Sequence, residues 1–325
     1  MKYKIAIVGA TGVVGRTALK VIEEKGLLDN TYILYASANS AGKRIKLGNR
    51  FLKVRFLEDG EARRKFDFVI FCTRDEVSKN YVKRFAKNGA CVIDFSAAYR
   101  KKYPLIVPEV NSEKIKGNII CNPNCSTIAG VMALYGIYKK FGIKRIIYST
   151  YQAVSGAGKA GLDDLNKNKT PQCFVYPIKD NLISYIGPLQ QNLFSKEENK
   201  MIYETKKILG DRNIAVSATC VRVPISVCHS ESITFETTKR CGLKKIVQTL
   251  KNTDGVEYID DYPHFPMPIE VRGQDKVFVG RVRKDINYPN TYHIFVVSDN
   301  LRKGAAQNGV QILEQLIKQK ENKVW

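Results

Sequence analysis

The chain has 325 residues, 44% hydrophobic and 10% aromatic, with 53 Lys and Arg against 31 Asp and Glu for a net charge of +22. Such a length and composition exclude a disordered or fibrous chain and leave room for two domains, each with its own core. No apolar run approaches the ~20 residues of a membrane-spanning helix, so no membrane partner is expected. The cations are dispersed, as in Lys43-Arg44, Arg63-Arg64-Lys65, Lys206-Lys207 and Lys244-Lys245. Scattered charge reads first as a solvated surface, second as a preference for anionic small molecules and last as nucleic-acid binding.

From the N-terminus, Met1 and Lys2 lead straight into a strand-like run, without the apolar stretch and cleavage site of a secretory signal. Apolar strands are predicted at 3–9, 31–36, 67–72, 90–95 and 118–121, with helical periodicity at 13–25 and 77–88 between them. Strands alternating with helices imply a doubly wound, Rossmann-like parallel sheet. A helical run follows from Ile128 to Phe141. After residue 144 the texture changes to longer β-rich runs at 144–154, 213–227, 231–238, 276–284 and 291–298. These predict a second α+β domain with a mostly antiparallel sheet, covered by helices at 157–167, 196–209 and 242–252. The tail from Lys303 to Lys320 reads as a helix. The expected division is 1–122 with 303–325 for the first domain and 123–302 for the second.

Eight cysteines (72, 91, 121, 125, 173, 220, 228, 241) include no CxxC pair, and three histidines (229, 264, 293) are few for a metal centre. The expectation is a reduced, cytoplasmic protein with no metal site. Gly9-Ala10-Thr11-Gly12-Val13-Val14-Gly15 follows the first strand and opens the first helix. Glycines there permit a tight turn and close packing, while the helix N-terminus offers N–H groups to a pyrophosphate. The second strand is followed by Ser37, Asn39, Ser40, Lys43 and Arg44 rather than by a carboxylate, which favours NADP over NAD. In Asn122-Pro123-Asn124-Cys125-Ser126-Thr127, a cysteine stands where a strand gives way to a helix. The positive end of a helix dipole favours thiolate, the nucleophilic form.

These residues resemble the aspartate-β-semialdehyde dehydrogenases along the whole chain: GATGVVG at 9–15, SANSAGK at 37–43, VPEVN at 107–111 and NPNCST at 122–127. QAVSGAG at 152–158, Glu197 with Lys200, RVPISVCHSES at 222–232 and SDNLRKGAA at 298–306 continue the likeness. The resemblance implies NADPH-dependent reduction of β-aspartyl phosphate to the semialdehyde with release of phosphate, by a homodimer or homotetramer joined through the second domain. It assigns Cys125 as nucleophile, His229 as acid/base and Gln152 as the group orienting the acyl group or a water. Arg222 would grip the substrate α-carboxylate and Glu197 its α-ammonium, with Lys200, Arg100 and Asn124 on the phosphate. The cofactor would lie against Gly9, Thr11, Gly12, Val13, Val14, Ser37, Asn39, Ser40, Thr73, Ser155, Gly156 and Asn300.

Arg222 and His229 fall on opposite faces of one continuous strand, so a bulge or bend near Pro224 is expected if they share a site. Two positions depart from the family pattern. Cys72-Thr73-Arg74-Asp75-Glu76 stands where Ser-Ala-Gly-Gly-Ser is usual, and Asn39 where many members carry arginine. An acetylglutamyl-phosphate reductase is the alternative enzyme, and a non-catalytic basic binding module the alternative of another class.

Overall fold

The computed structural model describes residues 2–166 and 170–322. The chain divides into two compact units, residues 1–123 with 305–325 and residues 124–304.

The first unit begins with β1 (Lys4–Val8), α1 (Val13–Glu24), β2 (Thr31–Ala36), β3 (Arg44–Leu47) and β4 (Arg50–Phe56). It continues with β5 (Phe68–Phe71), α2 (Asp75–Lys87), β6 (Cys91–Asp94), α3 (Pro108–Asn111) and β7 (Ile119–Cys121). The sheet order is β3-β4-β2-β1-β5-β6-β7, and every pair is parallel except β3 with β4. The doubly wound reading therefore holds, with one correction. Residues 44–56 form a β-hairpin at the sheet edge, because alternation of Ile45, Leu47, Leu52 and Val54 with cations outweighs their high charge. The C-terminal helix, Gln307–Glu321, returns to this unit after a π-helical turn at Arg302–Ala306. Its Val310, Leu313 and Leu316 join the core built by Ile5, Ile7, Leu19 and Ile22.

The second unit holds α4 (Cys125–Phe141), β8 (Ile143–Gln152), α5 (Lys159–Asn166), α6 (Lys196–Leu209), β9 (Ala215–Arg222) and β10 (His229–Thr237). α7 (Leu243–Lys251), β11 (Val256–Tyr258), α8 (Pro268–Val271), β12 (Val277–Lys284) and β13 (Thr291–Ser298) follow. The expected last residue of the 157–167 helix lies outside the described residues. The sheet runs β11-β12-β13-β10-β8-β9; three central pairs are antiparallel and the two outer pairs parallel. A parallel β8–β9 pair needs a long crossover, and the segment carrying α5 and α6 supplies it. The continuous run expected at 213–227 is instead broken. β9 stops at Arg222 because Pro224 cannot donate to a ladder, and β10 starts at His229 on the other side of β8. A strand change, rather than a bulge, separates the two residues.

α4 lies on this sheet at close range. A methyl on Gly130 would sit 2.6 Å from Tyr148 Cε1 and 3.0 Å from Glu231 Oε2. Glu231 is fully buried and neither carboxyl oxygen has a hydrogen-bond partner. Burial alone pushes its carboxyl well above the usual carboxylate range, so it stays protonated in the folded protein.

A carboxyl that keeps its proton when folded and loses it when unfolded above about pH 4.3 makes stability fall as pH rises from that value toward the folded pKa. Glu231→Gln removes this linkage. Its melting temperature should gain on that of the native protein progressively as pH rises from about 4.3 toward the raised folded pKa. A difference that stays flat across a pH series of thermal melts would contradict a protonated Glu231.

Candidate active site

Asn124 caps α4: its Oδ1 accepts from the N–H groups of Ser126 (3.1 Å) and Thr127 (3.2 Å). Cys125 is thus the first helical residue, at the positive end of a 17-residue dipole. Two N–H groups that the sequence left open to a thiolate are taken by this cap. A different donor faces the sulfur: His229 Nε2 lies 3.1 Å from Cys125 Sγ. The imidazole is fixed from behind by the Ala153 N–H, which donates to Nδ1 at 3.0 Å. Burial, followed by the positive charge of Arg222, pushes His229 down to about 3, so the ring is neutral near pH 7.

Arg222 ends β9, where it pairs with Gln152 at the end of β8. Its Nη1 donates to the Ala153 carbonyl at 2.7 Å, so Ala153 orients both Arg222 and His229. A methyl on Gly156 would lie 2.9 Å from Arg222 Nη1 and 3.5 Å from His229 Nε2, which locates both side chains beside that glycine. Arg222 also lines a cavity of about 400 Å³ with Ala157, Phe174, Ile183 and Tyr185.

α6 supplies the carboxylates. Its start is fixed by a capping box between Ser195 and Glu198, and Glu198 also accepts from the Cys220 N–H of β9 at 3.0 Å. Glu197 is buried and accepts from Asn124 Nδ2 (2.7 Å), Gln152 Nε2 (3.0 Å) and Lys200 Nζ (2.9 Å). Burial opposes its charge, but Lys200 and the two amides prevail and hold the carboxyl far below the usual range. The Glu197–Lys200 pair is accordingly a shielded contact and not a solvated i,i+3 bridge. Glu204, two turns further along α6, accepts from the Asn124 backbone N–H at 2.7 Å. The sequence reading missed Glu204, since nothing local distinguishes it from other helix carboxylates. It also missed Gly304, where a methyl would sit 3.1 Å from Cys125 Cβ.

Ser155 and Asn300 pair through their side chains at 3.0 Å, and Asn300 Oδ1 accepts from the Cys228 N–H at 2.9 Å. The second unit thereby brings together Cys125, His229, Gln152, Asn124, Glu197, Lys200 and Arg222, with Ser155, Gly156 and Asn300 nearby in sequence or hydrogen bonding.

The remaining residues belong to the first unit. Gly9 turns with φ +85°, and a methyl there would lie 2.3 Å from the Cys72 carbonyl oxygen; one on Gly15 would lie 2.2 Å from the Gly9 oxygen. Gly12 is the N-cap of α1 and makes no side-chain cap, so the helix opens at Val13 and Val14 with no acidic residue in its first turn. Asn39 and Ser40 lie in a 3₁₀ turn (Ala38–Ser40) after β2, with Ser37 at its N-cap and Ser37 and Asn39 exposed. The β-hairpin adds cations next to it: Arg44 pairs with Lys53, and Arg55 stands opposite Tyr35. Thr73 lies beside Gly9, its Cγ2 3.0 Å from the position of the added methyl. Arg100 is buried, with Nη2 donating to Phe95 O at 2.7 Å. Among the described residues no group of three or more His, Cys, Asp or Glu side chains could hold a metal ion.

Comparison with known proteins identifies the family. Residues 4–118 match the family model for the semialdehyde dehydrogenase NAD binding domain, and residues 134–303 that for the dimerisation domain. The aspartate-semialdehyde dehydrogenase of Aquifex aeolicus is 46% identical, over 98% of this chain and 99% of its own length. That of Rickettsia bellii is 39% identical over 98% of each. Among solved structures, aspartate semialdehyde dehydrogenase II from Vibrio cholerae, complexed with ASA, aligns with a TM-score of 0.94 at 38% identity over 98% of this chain and 99% of that one. The Candida albicans enzyme with NADP aligns at 0.76 and 25% identity over 98% and 99%. The chain belongs to the aspartate-semialdehyde dehydrogenase family.

Proposed function

We propose that this chain reduces L-aspartyl 4-phosphate to L-aspartate 4-semialdehyde, reversibly and with release of phosphate, using NADPH and a thioester on Cys125. The observation that carries this reading is Cys125 Sγ at a helix N-terminus, 3.1 Å from His229 Nε2. In a cytoplasmic biosynthetic enzyme this step would serve lysine, threonine and methionine formation.

Cys125 attacks the acyl carbon as a thiolate, its proton already lost to solvent, the bond to the phosphate oxygen breaks, and a thioester remains. NADPH, when bound, supplies the hydride that reduces it; the resulting adduct on sulfur then collapses to the aldehyde and frees Cys125. Because Nδ1 of His229 accepts from Ala153, the single proton of the neutral ring resides on Nε2, facing sulfur. His229 in this reading first donates to the thiolate and then to the oxygen of each tetrahedral adduct, the role of an oxyanion donor. The acid/base assignment is narrowed accordingly.

Arg222, anchored through one nitrogen on Ala153 O, takes the α-carboxylate from the wall of its cavity. Glu197, held ionised, pairs with the α-ammonium. Lys200, Arg100 and Asn124 take the phosphate, and Gln152, tied to Glu197, orients the acyl group. The glycine loop suits a pyrophosphate, since Gly9 and Gly15 let the turn pack tightly against backbone at Cys72 and Gly9, and α1 opens there without an acidic residue or side-chain cap in its first turn. The exposed turn at 37–40, with Lys43, Arg44, Lys53 and Arg55 about it, fits a 2′-phosphate even with Asn39 in place of arginine. For the oligomer, the matched dimerisation domain and the exposure of Ile147 (37%) and Tyr151 (40%) on β8 support a homodimer or a homotetramer built from it.

Three outcomes test this reading. Incubation with aspartate semialdehyde, phosphate and NADP should generate NADPH absorbance; no turnover with NADP or NAD at any pH sinks the assignment. Cys125→Ala should lower kcat by roughly a thousandfold or more with an unchanged melting temperature. In a histidine NMR titration, the imidazole signal absent from His229→Asn should not shift between about pH 5 and pH 8. A midpoint near 6.5 would contradict the donor role.

A further inference from the structure

The segment Cys72–Glu76 carries bulky and acidic side chains beside the glycine turn, and the structure gives them a task. Gly9 abuts Cys72 O and Thr73. Thr73 Oγ1 lies 3.3 Å from Ser78 Oγ, which donates to Asp94 Oδ1 at 2.8 Å. Asp94 in turn accepts from the Ser96 N–H (3.0 Å) and Ser96 Oγ–H (2.9 Å), and Ser96 Oγ accepts from the Ala98 N–H (3.1 Å). Across the same gap, Asp75 Oδ1 accepts from the Ala97 N–H at 2.8 Å, joining residues 22 apart in sequence. The loop so held, 95–98, is the one on which Arg100 rests through Phe95 O. Two buried or half-buried carboxylates therefore fix consecutive N–H groups of the arginine loop, one from β6 and one from the first residue of α2.

We propose that Asp75 is a positioning residue that couples the cofactor loop to the Arg100 loop and so sets the affinity of the site for phosphate. The proposal rests on Arg100 as a phosphate grip. Asp75 does not touch the anion. Its own negative charge disfavours phosphate nearby, so its benefit comes from holding the loop, as its acceptor oxygen does on the Ala97 N–H. Losing that acceptor leaves the Ala97 N–H unmatched and the loop free to shift, which moves the guanidinium relative to its ligand. Thr73 beside the glycine turn and Asp75 on Ala97 belong to one segment, so NADP that orders this segment should tighten phosphate, and by reciprocity phosphate should tighten NADP by the same factor.

The test compares the native protein with Asp75→Ala, Asp75→Gly and Asp75→Asn, using steady-state kinetics and calorimetric titration with inorganic phosphate, with and without NADP. Truncation to Ala or Gly should raise the phosphate KM and Kd about three- to tenfold, the effect of one hydrogen bond. kcat and the Kd for NADP alone should stay within about twofold, and the mutual tightening of NADP and phosphate should shrink. Asp75→Asn keeps an acceptor oxygen and loses the charge, so it should bind phosphate as well as the native protein or better. Truncations that lower the melting temperature but leave phosphate Kd unchanged would assign Asp75 a structural role only and overturn the proposal. A loss in Asp75→Asn as large as in Asp75→Ala would overturn it too, as would the absence of phosphate binding to the native protein. An inactive native protein that still binds phosphate would defeat the assigned reaction while the titrations continue to decide the role of Asp75.

Discussion

Glu197 is a carboxylate with almost no water around it, and three side chains hold its charge. Asn124, Gln152 and Lys200 come from a helix cap, a strand end and the next turn of α6, so one buried ion ties three elements at one point. A buried charge of this kind is tolerable only when its partners are complete. The requirement runs outward from there. Asn124 must keep its amide on Glu197 while its oxygen caps α4, and that cap fixes the first residue of the helix as Cys125. Removing the carboxylate would take this acceptor from two amides and a lysine at once.

Electrostatics then separate the two groups that meet at sulfur. Arg222 and burial keep His229 neutral, while the helix dipole and the Nε2–H favour negative charge on Cys125. Ala153 performs the alignment with backbone alone: its N–H holds the imidazole and its carbonyl holds the guanidinium. No substitution of a side chain at 153 would remove either bond, short of proline.

Much of this was legible in the residues. The glycine turn, the cysteine at a strand–helix junction and the shift from alternating to β-rich texture each follow from local periodicity and backbone preference. The β3–β4 hairpin was not, because six cations between residues 43 and 55 mask its alternation. Nor was the end of β9: apolar residues on both sides of Pro224 read as one strand until the pairing with β8 is known. Helix α2 begins at Asp75, two residues earlier than its periodicity suggests, since Asp75 and Glu76 favour the first turn by charge rather than by packing. Glu204 binds a backbone N–H far away in sequence and Ala153 binds distant side chains with its own backbone, and no pattern of residue types announces such contacts.

The first unit is assembled from both ends of the chain. Asn308, near the start of the C-terminal helix, donates to Ile106 O and to Asn122 Oδ1, and Val310, Leu313 and Leu316 complete the core around α1. During synthesis the polypeptide emerges N-terminus first. Every residue of the second unit has therefore been made before the first unit receives its last helix. Through that interval the apolar face of α1 waits without its cover. The half that is begun first is thus the half whose residues are completed last, and a chain released before Ala305 lacks part of the earlier half.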